Sequence, residues 1–116
     1  MVLLNIGINK MRDAIESIIN EGTLGSSGTE VLVSDSGIGS AIAGTTKTIT
    51  VTPFNNGLKF EYRTDAGDGD GNIAREFIID ESGDNIALFR AVFPEIDIDG
   101  TTQIEINSQL LLIQEL

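Results

Sequence analysis

Residues 65–77 read DAGDGDGNIAREF, and in them Asp65, Asp68 and Asp70 alternate with glycines, with Asn72 just beyond. Closely spaced carboxylates on a flexible backbone are what a hard cation such as Ca2+ recruits, because it takes many oxygen ligands in adaptable geometry. The EF-hand loop asks for oxygens at alternate positions, a glycine at the sixth and a bidentate Glu at the twelfth. Counted from Asp68, both Asp70 and Asn72 fall on ligand positions, but Ile73 stands where the glycine belongs. Counted from two residues earlier, Gly71 falls correctly, yet Ala66 takes the first ligand position and Phe77 the last. Neither register makes an EF-hand. Gly and Asp are also the residues of a flexible turn between strands, and Tyr62 and Ile73 on either side carry strand periodicity. A turn is the preferred reading, with a looser Ca2+ site at Asp65, Asp68 and Asp70 as the alternative. No metal and no cofactor is expected.

Other chemistry has little to stand on. The chain has neither histidine nor cysteine. It therefore lacks the usual base at neutral pH, the Ser–His–Asp triad, a thiol nucleophile and a disulfide framework. A two-carboxylate glycosidase is defined by geometry rather than motif, but aromatics to stack a sugar make up only 5% of the chain. No GK[ST] follows a glycine-rich turn, and GSSG is not a dinucleotide fingerprint. The expectation is a protein that is not an enzyme, with no catalytic residues.

Composition fits one globular domain of 116 residues, 41% of them hydrophobic, a size that buries a real core. The net charge is −11, with 18 acids against 7 scattered bases. Phosphate backbones and anionic membranes are bound by clustered Lys and Arg, so neither nucleic acid nor membrane is an expected partner. MVLLNIGINK lacks the basic start and long apolar stretch of a secretory signal. The aliphatic run at residues 110–113 is far shorter than a bilayer span.

The elements that would position these groups follow from periodicity. Ile8, Met11, Ile15, Ile18 and Ile19 recur at helical spacing and predict a helix over residues 5–21, capped by Asn5 or Asn9 and stopped at Gly22. Residues 22–46 are rich in Gly, Ser and Thr. They read as a long surface excursion with one short strand at Val31, Leu32 and Val33 and a single turn of helix between Ile38 and Ile42, capped by Asp35. From Lys47 the period becomes two. TITVTPF and LKFEYR flank Asn55, Asn56 and Gly57, which supply the positive φ of a tight hairpin, and Pro53 marks an edge strand. NIAREFIID is a further strand, followed by a turn at residues 81–84. IALFRAVF is apolar on both faces, broken only by Arg90, and reads as a central strand. After a turn near Asp99 and Gly100, TQIEINSQLLLI is the last strand, and its apolar end should be covered by the N-terminal helix or another subunit.

The fold class is therefore mainly β: an antiparallel β-sandwich, or a single curled sheet, of about five to six strands with one N-terminal α-helix. The chain is one domain, residues 1–116, made of the helix, the excursion and an antiparallel β domain over residues 47–116. Ile15, Phe60, Phe77, Leu88 and Phe89 are expected in its core. The apolar start at Val2, Leu3 and Leu4, the excursion with Leu24, Val31 and Ile38, and the end at Leu111 and Ile113 have no evident intramolecular use. They are the candidate interface residues, predicted to make a homo-oligomer or a ring on a larger particle, with the hairpin at Asn55, Asn56 and Gly57 and the Asp/Gly loop farther away.

The order of segments resembles a family of small tail-fibre, tail-collar or baseplate-associated structural proteins of tailed bacteriophages and archaeal tailed viruses. Those proteins open with a helix carrying a motif like G-[IL]-x-x-[IL]-R-D, and here Gly7, Ile8, Met11, Arg12 and Asp13 fit it. A later D-T-x-L-x-x-E-[IV] is read as Asp35, Ser36, Gly37, Ile38, Gly39, Ser40, Ala41 and Ile42, with the acid missing. The strand like G-x-I-x-E-x-G-L-F-D is Gly71, Ile73, Glu76, Ile78, Ile79 and Asp80, with Glu76 one position late and Phe77, Ile78 and Ile79 in place of the Gly-Leu-Phe core. Leu88, Arg90, Val92, Phe93 and Pro94 resemble L-x-x-R-x-x-F-P-P with one residue fewer between Leu and Arg and Glu95 at the second Pro, and Thr102, Gln103, Ile104 and Ile106 match the closing strand more loosely. The resemblance implies a non-enzymatic structural subunit of a virion, in the tail, baseplate or fibre attachment, with other virion proteins as partners. Alternatives are a capsid-surface component, as a decoration or turret, and a free ligand-binding β-module holding Ca2+ or carbohydrate in its Asp/Gly loops. Glu76 and Arg90 fall on neighbouring predicted strands, where they either pair as buried charges or both face solvent.

Overall fold

The computed structural model describes residues 1–38, 40–81 and 86–113. Its first element is α1, Asn5–Ile18. Ile8 is buried and Ile15 half-buried, while Met11 and Ile18 stay 49% and 41% exposed, so only part of the apolar stripe packs. The helix starts after an extended Leu4 with no side-chain cap, so Asn5 and Asn9 do not cap it. Asn9 holds the hairpin instead: its Oδ1 accepts from the Asn56 N–H at 3.0 Å, and its Nδ2 donates to Asn55 Oδ1 at 3.3 Å.

The helix does not run on to residue 21. The chain turns directly into strand β1, Ile19–Gly25, and Gly22 is no helix stop. A Cβ on Gly22 would lie 2.7 Å from Phe77 Cε2 and 2.9 Å from Tyr62 Cδ2, so the missing side chain is what lets two aromatic rings lie on the strand. β1 is an inner strand of a four-stranded antiparallel sheet, ordered β2 (Lys47–Thr48), β1, β5 (Ile73–Glu81), β6 (Ile86–Asp97). The second sheet is β3 (Thr50–Phe54), β4 (Gly57–Arg63), β7 (Glu105–Leu111). The β3–β4 hairpin turns at Asn56, whose φ is 65°, and Pro53 lies on the edge strand β3, where its missing N–H costs least.

The fold is thus an antiparallel sandwich of seven strands with one helix across one end. The apolar residues between the sheets include Leu24, Leu58, Phe60, Tyr62, Phe77 and Ile79, all buried. Tyr62 and Phe77 stack with ring centroids 4.7 Å apart, and Phe60 meets Phe89 at 5.9 Å. Phe60 and Phe77 are core residues as expected, whereas Ile15, Leu88 and Phe89 are half-buried and pack against the core from its margin.

Three further expectations change. β6 is an edge strand, not a central one. Its second apolar face lies partly under residues 26–38 of the excursion: the Ala87 N–H donates to Ser36 O at 3.2 Å, and Val31, Leu32 and Val33 border a groove with Leu88 and Phe89. Those three residues form no strand, and Asp35 caps no helical turn. Instead the Asp35 carboxylate accepts from the Leu32 N–H at 3.0 Å, closing a tight turn. The turn expected at residues 81–84 lies mostly outside the described residues.

The excursion is a third layer, here called the strap. Its ends meet where the Ser26 N–H donates to Ser40 O at 3.0 Å and the Ile42 N–H to Leu24 O at 2.9 Å. Between these points it crosses the outer face of the four-stranded sheet. Ile78, only 2% exposed, borders a groove there with Gly37, Ile38 and Ala41. Buried Thr45 fastens the return, donating to Ile42 O at 2.7 Å and accepting from the Leu24 N–H at 3.2 Å.

Candidate functional site

The Asp/Gly loop forms as a turn whose glycines adopt left-handed backbone, with φ +87° at Gly67, +78° at Gly69 and +83° at Gly71. Its carboxylates converge on an ammonium. Lys47 Nζ lies 2.9 Å from Asp68 and 3.6 Å from Asp65, and Asp68 Oδ2 also accepts from the Asp65 N–H at 2.7 Å. The Lys47 hydrogen bond holds the Asp68 carboxyl below its ordinary range and raises Lys47 in turn. Among the described residues no group of three acids gathers as a metal site. Asp99, in the neighbouring loop, accepts from Thr101 and Thr102 and is likewise held below its usual range.

Glu76 and Arg90 pair, buried. Arg90 Nε donates to Glu76 Oε2 at 2.7 Å, with side chains 7% and 2% exposed. The remaining guanidinium protons fix the strap. Nη1 reaches Asp35 Oδ2 at 3.2 Å and Glu30 O at 3.3 Å, and Nη2 reaches Thr29 O at 3.1 Å and Ser27 O at 3.4 Å. Glu76 Oε1 accepts from the Ser27 N–H at 3.3 Å. Hydrogen bonding to Glu76 and the Glu76 charge, then the charge of Asp35, raise Arg90 further into its charged form against the opposing effect of burial. Gly25 makes room for this cluster, since a Cβ there would lie 2.2 Å from Glu76 Oε1. A fully satisfied guanidinium fork is costly to bury and costly to disrupt. The cluster has no open coordination for a substrate, and its chemistry is that of a clamp.

The apolar interface candidates divide. Val2, Leu3 and Leu4 are 55%, 41% and 67% exposed, and Leu111 and Ile113 are 53% and 77% exposed. Four of the five come together: Val2, Leu3, Leu4 and Ile113 share a groove with Leu112 beside Asn56, and Leu111 does not line it. The helix also leaves Ile6, Met11 and Ile18 exposed along its length. The hairpin therefore sits with the termini, contrary to its expected distance from them. The Asp/Gly loop lies at the far end of β4 and β5 from the termini, but it is not apart from residues 22–46: a Cβ on Gly69 would lie 3.0 Å from Ile42 and 3.1 Å from Thr45. Val31 is exposed at the strap's tip, and Ile38 is half-buried over Ile78. Leu24 is no interface residue. It is fully buried between the sheets, because the residues around it form β1 rather than a surface excursion.

Two features escaped the sequence reading. Arg12 Nη1 donates to Phe54 O at 2.8 Å and to Asn9 Oδ1 at 3.3 Å, so the R of the opening helix motif latches the helix to the hairpin. The other is the strap's anchorage on Arg90, for which the lone cation in an otherwise apolar strand was the available signal. Comparison of the chain with family models, curated proteins and solved structures gives no match.

Proposed function

We propose that this chain is a non-enzymatic structural subunit of a tailed-virus particle, placed in the tail, baseplate or fibre attachment. The observation that carries the assembly part of this reading is the apolar helix end. Among the described residues, the exposed Val2, Leu3, Leu4 and Ile113 line one groove there, with Leu112 beside them. Exposed apolar surface gathered in one place, on an otherwise acidic chain, marks a face that another protein covers. The tailed-virus part rests on the motif order, with Gly7, Ile8, Arg12 and Asp13 in the helix and Leu88, Arg90, Phe93 and Pro94 in β6. Two of those motif residues have supporting work to do: Arg12 latches the helix and Arg90 clamps the strap. The binding-module alternative is weakened because Lys47 already neutralises Asp65 and Asp68.

Sedimentation across a concentration series, together with mass spectrometry of purified tailed-virus particles, tests the reading. A self-associating chain that recurs in particles at fixed stoichiometry is expected. A chain that stays monomeric at high concentration and is missing from particles sinks it.

A further inference from the structure

The two sheets are unequal, four strands against three. β6 and β7 are edge strands, one of each sheet. Between them runs an apolar cleft of about 400 Å³, lined by Phe77, Phe93, Ile96, Ile104 and Ile106 with Glu105 at its rim. Phe93 and Ile106 belong to the margin of the core yet remain open to this cleft, and Ile96 is 37% exposed.

We infer that this cleft receives the N-terminal ridge of a second copy of the chain. This rests on the assembly reading above and names the partner. In the extended start, Leu3 turns inward over Gly7, where an added Cβ would come within 2.8 Å of Leu3 Cδ1. Its neighbours Val2 and Leu4 are left outward, and Ile6 continues the line, the three being 55%, 67% and 68% exposed. Lys10 follows Ile6 by one helical turn, on the same face, and makes no ion pair among the described residues.

Charge selects the pairing. Residues 1–13 hold Lys10, Arg12 and Asp13; Arg12 pairs with Asp13 at 2.7 Å, which leaves Lys10 as the cation without an acid partner among the described residues, although the whole chain carries −11. The loop end beside the cleft holds seven carboxylates, at positions 65, 68, 70, 95, 97, 99 and 105, against three cations at 47, 63 and 75. Two clefts brought together would set acid against acid. A ridge brought to a cleft sets Lys10 against that excess.

A ridge does not reach its own cleft. Asn5 borders Leu112, six residues along the last strand from Ile106, which is roughly 20 Å at strand rise. The contact is therefore between copies, and head-to-tail, so it repeats into a ring or a filament.

The natural absence of cysteine permits a clean test. Leu4→Cys and Asn107→Cys chains, each exposed at the substituted site, are treated with a short bismaleimide separately and as an equimolar mixture. Thermal unfolding first confirms that both fold as the parent does. Cross-linked dimer in the mixture, with little in either chain alone, is expected. Lys10→Glu should weaken association at least tenfold at low salt and by less at high salt. No dimer in the mixture at concentrations where the parent sediments as an oligomer overturns the ridge-and-cleft pairing while leaving assembly by another surface standing. Equal dimer in each chain alone overturns it in favour of a symmetric contact. A parent that is monomeric throughout overturns it outright, and the particle measurement then decides the broader reading separately.

Discussion

The four-stranded sheet is covered on both faces, by opposite means. On the inner face, Gly22 opens space for the Phe77 and Tyr62 rings, and apolar side chains from the second sheet fill the rest. On the outer face, Gly25 opens space for the Glu76 carboxylate, which with Arg90 and Asp35 holds a strap whose tip shows Val31, Leu32 and Val33 to solvent. Apolar packing is non-directional and cooperates with the whole core. A guanidinium fork is directional and releases as a unit when one partner fails. The inner face should therefore govern whether the chain folds. The outer face should govern whether the strap lies down.

Phe77→Ala tests the inner half of this contrast and should have the largest effect. Loss of a buried ring costs about 3–5 kcal/mol, read as a lower denaturant midpoint in a single transition. An unchanged midpoint would show that β5 does not carry the core.

Glu76→Ala comes next. It leaves Arg90 without its closest partner, and about 3 kcal/mol is expected, the low end for a broken buried pair because the strap can lift and admit water. The decisive reading is where the effect appears. Hydrogen exchange should accelerate in residues 27–36 far more than in β4, which lies in the other sheet. Uniform acceleration throughout would show that the two covers are not separable.

Asp80→Asn is the smallest and carries a pH signature. Asp80 is half-buried on β5 opposite Glu21, with one oxygen lacking a hydrogen-bond partner among the described residues. Burial, then the Glu21 charge, raises its carboxyl above the ordinary value. A folded-state value above the unfolded one means that the fold binds this proton more tightly, so the carboxylate subtracts stability as pH rises through it. The Asn variant should be modestly more stable than the parent at neutral pH, with the difference closing as the solution is acidified below the unfolded-state range. An advantage that grows on acidification would contradict this.

What could be read beforehand was local. The β3–β4 hairpin declared itself through alternation on either side of Asn55, Asn56 and Gly57, and the exposed apolar start and end were visible as such. β1 was not, because INEGTLG is short of strand-forming residues. Its glycines at 22 and 25 are explained by large side chains of β4 and β5, forty or more positions away, that occupy their space. Missing β1 put Leu24 on the surface and lengthened the helix. β6 looked central because both faces are apolar, yet one face serves the core and the other is partly roofed by the strap. The pairing of Glu76 with Arg90 depended on a register that shifts between Ala74 and Glu76, which alternation alone does not reveal.

The strap leaves and returns at neighbouring points, joined by the hydrogen bond between Ser26 and Ser40. A segment closed at its base in this way is nearly decoupled from its own length, since doubling a loop adds only about 0.6 kcal/mol of closure entropy. Its tip is therefore the place where the chain could accept insertions, exchanges or grafted sequences with the sheets beneath undisturbed. The carbonyls of Ser27 and Thr29 and the carboxylate of Asp35 would have to stay within reach of Arg90. Between those moorings, the molecule has room to diversify.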